Sequence, residues 1–199
     1  MTVPLASTSA RSPAIFIDKD GTLIENIPYD ADTAKIRLLP GAVNGLLRLR
    51  EAGFRLFVIS NQTGIALGLL TESQVLQAYA CIVDLIAEEA GRHGKDLLDS
   101  FYYCPHAQDE CDCRKPAPGM LLRAAREHGV PLAHSWMIGD ILDDIEAGHR
   151  AGCRAILIDN GNETQWEPGP MRLPDAVVAR LDEAAALIPP PSHQRRHNR

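Results

Sequence analysis

Residues 14–23 read A-I-F-I-D-K-D-G-T-L, and this stretch decides the fold. Ile15, Phe16 and Ile17 lead directly into Asp18, Lys19 and Asp20, then Gly21 and Thr22. A short β-branched and aromatic run closed by a turn signal predicts a buried strand. Apolar residues on both of its faces suit a central parallel strand covered by helices. Two carboxylates then stand at its carboxyl end, the edge at which open α/β sheets bind ligands. Alternation sends Asp18 and Lys19 to different sides, with Asp20 returning toward Asp18 as the turn begins. Gly21 permits φ > 0 or close approach of a ligand to the backbone.

Outward from this stretch, strands and helices alternate. Strands are expected at 55–59 (R-L-F-V-I), 101–103, 136–138 and 155–158, and helices at 42–52, 119–128 and 143–151. Thr71-Glu72-Ser73-Gln74 is a capping box, opening a helix to about residue 89 with Val75, Tyr79, Ile82 and Ile86 inward. Residues 175–187 read as a last amphipathic helix. Such alternation predicts an α/β fold, a three-layer, Rossmann-like, mostly parallel sheet between helices. No insertion is large enough for a cap domain. A single domain over 14–188 is expected, between a flexible N-terminus, 1–13, and a disordered Pro-rich then basic tail, 189–199.

The totals narrow the function. A chain of 199 residues, 45% apolar and 23% charged, can bury a large core. A net charge of -6 and a pI near 5.6 count against nucleic acid or a membrane surface as partner. No apolar run approaches the roughly 18 residues of a membrane span. Residues 1–13 lack the apolar core of a signal peptide, so a cytoplasmic location is expected; a monomer is expected as well. Five cysteines, three of them between positions 104 and 113, suit a metal better than disulfides.

Three strand ends carry functional clusters: Asp18 and Asp20, Ser60 and Asn61, and Gly139-Asp140. Parallel strands put them on one edge, which Lys115 can also reach. Gathered carboxylates repel unless a hard cation sits among them, and Mg²⁺ suits an all-oxygen set that shares a substrate phosphate. Lys115, Ser60 and Asn61 would hold phosphate oxygens. Cys104-Pro105-His106, four residues, then Cys111-Asp112-Cys113 supplies three sulfurs and one imidazole, a structural Zn²⁺ set without an open position. Cys81 and Cys153 read as buried thiols. His93, His128, His134 and His149 read as surface or helix-end residues, and His193 and His197 belong to the tail.

D-x-D-G-T at 18–22, the strand-end Ser60-Asn61, Lys115 and G-D-x-x-x-D at 139–144 occur in the order found in haloacid dehalogenase-like (HAD-like) phosphatases. The chain resembles that family over residues 14–158. The resemblance implies that Asp18 is a nucleophile forming an aspartyl-phosphate and Asp20 a general acid and base. It further implies Mg²⁺ on Asp18, the Asp20 carbonyl and Asp140, and Ser60 and Lys115 on the transferred phosphoryl group. Asp144 would orient Lys115 or a metal-bound water, and Asp143 would lie on the surface.

Within the family, F-I-D-K-D-G-T-L, S-N-Q-T-G-I-A, the C-x-H…C-x-C-R-K-P loop and P-G-M-L are most similar to the branch acting on heptose bisphosphates. Arg114 is the candidate grip for a second phosphate on a small phosphorylated sugar. Two features depart from that branch: Leu67 stands where its members commonly have Arg, and the short zinc loop is nearer the histidinol-phosphate branch. Histidinol phosphate or another small ester is therefore the alternative substrate. A zinc-stabilised interaction module without activity is the alternative outside enzymology.

Overall fold

The computed structural model describes residues 12–91, 94, 96–108 and 111–191. The N-terminus up to residue 11, the tail from 192 and the expectations for His93, His193 and His197 lie outside the described residues.

Among the described residues, six strands form one parallel sheet: β1 (Ala14–Ile17), β2 (Arg55–Asn61), β3 (Ser100–Cys104), β4 (Trp136–Gly139), β5 (Arg154–Ile158) and β6 (Ala176–Val178). Their spatial order is β3-β2-β1-β4-β5-β6. The chain therefore works outward from β1 in one direction, then returns to its other side with β4. That reversal leaves a crevice at the carboxyl ends of β1 and β4, the topological switch point of a doubly wound sheet. Register fixes it, with Ile17 opposite Ile138, so Asp18 and Asp140 leave the sheet within a residue of each other.

Alternation along the strands splits the core in two. Ile15, Ile17, Leu56, Val58, Ile138 and Ile156 face α1 (Ala42–Glu51), α2 (Glu72–Ala90) and α5 (Leu181–Leu187). Phe16, Phe57, Ile59, Met137, Ala155 and Leu157 face α3 (Gly119–His128) and α4 (Leu142–Ala151). Both faces are dry, as the two-sided apolar run of residues 15–17 requires. The capping box at the start of α2 is formed, with Thr71 Oγ1 accepting from Gln74 N. Between β1 and α1 the chain makes only a 3-10 turn at Thr33–Lys35 and two isolated bridges, and no cap domain stands there.

Four expectations are corrected. Residues 175–187 are a strand and a helix rather than one helix. The Val177-Val178 pair continues the sheet beside β5, Asp175 accepts from Ala155 N across that edge, and the helix starts only after Arg180. Tyr79 is half-buried because it stacks on Phe101 at 4.4 Å beside the sheet edge, and Ala78 takes the inward place on α2. Cys153 is buried but Cys81 is only half-buried, against the Thr33 carbonyl. Asp143 is half-buried too, because Arg172 folds over it at 3.1 Å.

Phe57 is wholly buried, stacked on Phe16 at 5.7 Å and touching the His128 ring at 4.8 Å. Replacing it with Ala removes an aromatic from the seam between β2 and α3. A loss of about 3–5 kcal/mol in unfolding free energy is expected from chemical denaturation.

Candidate active site

The crevice is built around Lys115. The lysine stands at the strand ends, where Asn61 at the end of β2 clamps its backbone. Asn61 Oδ1 accepts from Lys115 N and Asn61 Nδ2 donates to Lys115 O, both at 3.0 Å. The ammonium is buried; it donates to an Asp18 oxygen and to the Ile59 carbonyl at 3.1 Å, and pairs by charge with Asp144 Oδ1 at 2.5 Å. Burial works against its charge, but Asp144 and Asp18 outweigh that and raise its pKa above the usual lysine value.

Asp18, Asp140 and Asp144 each offer an oxygen to one cluster in which these atoms lie within 4.8 Å of one another. Asp144 reaches it from the first turn of α4, where its other oxygen accepts from Ile141 N at 3.3 Å. Gly139 makes this possible, since a Cβ there would collide with the Asp144 carboxylate. Gly21 does the same for Asp140: its φ is +79° and a Cβ would strike that carboxylate.

Asp20 stands at the mouth, its side chain 27% exposed. It bonds Lys19 Nζ at 2.6 Å and accepts from Gln62 Nε2 at 3.2 Å. Gln62 also donates to the buried Ser60 hydroxyl at 2.7 Å, so one amide ties Ser60 to Asp20. Arg114 donates to Thr63 Oγ1, which holds its guanidinium toward the loop after β2.

The site carries an excess of negative charge, with Asp18, Asp20, Asp140 and Asp144 set against Lys19 and Lys115. Burial is the largest influence pushing Asp18 well above the ordinary carboxylate range, with Lys115 opposing it and Asp144 and Asp140 adding to it. Burial, then the charge of Asp144, raises Asp140 to about 7, against a hydrogen bond from Asn162 and the charge of Lys115. A hard divalent cation would relieve that excess, and three buried carboxylates offer only oxygen, which fits Mg²⁺.

The second cluster lies at the end of β3. Cys104, His106, Cys111 and Cys113 converge, with sulfur–sulfur distances of 3.0, 3.1 and 3.4 Å and His106 Nδ1 at 3.4 and 3.6 Å from two sulfurs. No pair is bonded as a disulfide. Four such atoms around one point fit a compact tetrahedral set of the Cys₃His kind, whose edges would be about 3.4–3.8 Å at ordinary zinc–ligand lengths. Lys115 follows two residues after Cys113, so whatever holds this cluster also holds the lysine.

The crevice brings together Asp18, Asp20, Ser60, Asn61, Lys115 and Asp140, with Asp144. Sequence patterns passed over Gln62, Asn160, Asn162 and Glu163. The last three form the D-N-G-N-E turn after β5, and their only sequence signal is its place at a strand end on the same edge.

The HAD-hydrolase-like family profile matches residues 112–184. The chain is 38% identical over 164 residues to the D-glycero-beta-D-manno-heptose-1,7-bisphosphate 7-phosphatase of Photorhabdus laumondii, covering 78% of this chain and 85% of that one. The chain belongs to the HAD-like phosphatases. It is therefore a hydrolase of phosphate esters. The Pseudomonas aeruginosa protein of the same name is 32% identical, covering 87% of this chain and 94% of that one. The crystal structure of D,D-heptose 1,7-bisphosphate phosphatase from B. bronchiseptica, complexed with magnesium and phosphate, superposes with a TM-score of 0.75 at 29% identity. That match covers 87% of this chain and 96% of that one.

The raised carboxylates make the cation-free phosphatase sensitive to pH. A folded-state pKa above the unfolded value means the native state binds more protons, so stability falls as pH rises between the two. For Asp140 that window runs from the ordinary aspartate value of 3.8 to about 7. In Mg²⁺-free buffer, the unfolding temperature is expected to fall from pH 5 to pH 7.5. Saturating Mg²⁺ is expected to flatten the slope, measured by thermal unfolding.

Proposed function

We propose that the chain is an Mg²⁺-dependent phosphomonoester hydrolase that removes the 7-phosphate of D-glycero-D-manno-heptose 1,7-bisphosphate through an aspartyl-phosphate on Asp18. One observation carries the proposal. The buried Asp18 carboxylate, its Lys115 partner and the Asp140–Asp144 pair meet at the switch point of a fold shared with enzymes of that name. Several such relatives, 31–38% identical, match about three quarters or more of this chain.

Asp18, Asp140 and the Asp20 main chain are the groups that would hold Mg²⁺, with Asp144 beside them. Bound there, the ion would offset the charge of the carboxylates and of the arriving phosphate. Asp18 attacks phosphorus, and the bond from phosphorus to the sugar oxygen breaks. Asp20, as the acid, gives that oxygen its proton. Water then attacks the phosphorus of the aspartyl-phosphate while Asp20, now the base, takes a proton from it. The Asp18–phosphorus bond breaks, releasing phosphate and restoring both carboxyl groups. Lys115 favours the ionised form of Asp18 against the effect of burial and adds positive charge beside the phosphoryl oxygens, with Ser60 as a hydroxyl donor. Asn61 serves the same step by holding the Lys115 backbone. Arg114, on Thr63 at the loop after β2, is the grip offered to the sugar's second phosphate.

Zn²⁺ on Cys104, His106, Cys111 and Cys113 would be structural, since four protein ligands leave no place for a substrate atom. It would fix the segment that delivers Arg114 and Lys115. The monomeric state and the single-domain organisation are part of this proposal. Among the described residues, no helix is long and apolar enough to cross a membrane.

Asp18→Asn is expected to lower phosphate release from the heptose bisphosphate by at least about a thousandfold with the fold unchanged by circular dichroism. Activity near wild type in that variant would remove Asp18 as nucleophile. A panel of both anomers, histidinol phosphate and fructose 1,6-bisphosphate, compared by kcat/KM, should place the heptose ester first. Elemental analysis should find close to one zinc per chain, and Cys113→Ser should lose it together with a lower unfolding temperature.

A further inference from the structure

The turn after β5 adds a wall to the crevice that the family motifs do not include. Asn160 Nδ2 donates to the Gly21 carbonyl at 2.6 Å, and Asn162 Nδ2 donates to Asp140 Oδ2 at 2.7 Å. Asn160 Oδ1 in turn accepts from Asn162 N at 3.2 Å, so the first asparagine shapes the turn that delivers the second. Glu163 ties the same turn to α4 by accepting from Leu142 N at 2.8 Å. Gly21 leaves the space: a Cβ at that position would collide with both the Asp140 carboxylate and the Asn162 amide.

We infer that Asn162 is a positioning residue that fixes the orientation of the Asp140 carboxylate for the divalent cation. The inference rests on the proposal that Asp140 holds Mg²⁺. A carboxylate on a short side chain turns freely about its last bond unless one oxygen is held. Asn162 holds Oδ2, which sets the plane of the group and the direction of its remaining lone pairs. Donors of this kind tune affinity for a metal that they do not touch. An amide suits the task because it can donate without adding another charge to a cluster already rich in carboxylates.

The test is titration of MgCl₂ into the full chain in chelator-treated buffer, followed by calorimetry and by thermal shift, for wild type, Asn162→Ala and Glu163→Ala. Asn162→Ala is expected to weaken Mg²⁺ binding about tenfold or more. Its unfolding temperature without Mg²⁺ should stay within about 2 °C of wild type. Glu163→Ala removes a tie of the same turn but no contact to Asp140, and should leave Mg²⁺ affinity within about twofold. If Asn162→Ala does not fold, Asn162→Ser is titrated instead, with the same loss expected. Unchanged Mg²⁺ affinity in the folded Asn162 variant overturns the inference. So does an equal loss in Glu163→Ala, because the asparagine would then merely anchor the turn. Failure of the wild-type chain to bind Mg²⁺ overturns the metal reading itself, whatever the variants do.

Discussion

The structure depends on a buried charge contact: the Lys115 ammonium between Asp18 and Asp144. Three fully desolvated charges are costly to assemble, and one cation between two anions leaves a negative residue. Hydrogen bonding recovers part of the cost, because the ammonium donates to Asp18 and to the Ile59 carbonyl and Asn61 locks the main chain that delivers it. Asp140 adds a further carboxylate a few ångströms away. A site of this composition is stable with a divalent cation and under electrostatic stress without one. The same imbalance suits it to phosphate esters, whose own negative charge must be received at the end of β1.

The fold exists to make that contact. Sheet order puts the ends of β1 and β4 beside each other, and each glycine at the site makes room for one carboxylate. The cysteine cluster at the end of β3 converges just before Arg114 and Lys115, and in the zinc proposal it fixes the segment that carries them. Cys104 is buried in the core on the α3 side, with Cys111 and Cys113 packed against it, while the crevice itself is held by polar contacts. The dry core beneath, with Phe16 against Phe57, supplies the stability that the charged crevice costs.

Much of this was legible in the residues. Five strands and four helices follow from apolar periodicity, and the positions of Asp18, Ser60 and Asp140 follow from where the strands stop. The last segment was not, because Ala176-Val177-Val178 is too short to show alternation and runs into a helical pattern after one turn. Its strand character comes from pairing with β5, a tertiary effect. Asn162 was equally hidden. An asparagine in a D-N-G-N turn looks like turn chemistry, and only the fold shows its amide on Asp140. The motifs point to the family, while the partner of each motif residue comes from the structure. Asn61 illustrates this: beside Ser60 it reads as a phosphate ligand, and the structure adds that its amide holds the Lys115 backbone from both atoms.

The proposed transfer of phosphorus to the Asp18 carboxylate can be trapped directly. Wild-type enzyme mixed with Mg²⁺ and heptose 1,7-bisphosphate, quenched in acid within the first turnover and digested, can be read by mass spectrometry. The expected result is a phosphoryl group on the peptide bearing Asp18, on that residue and absent in Asp18→Asn. Phosphate release proceeding with no such adduct at any quench time, or with the phosphoryl group on another side chain, would rule out Asp18 as the nucleophile.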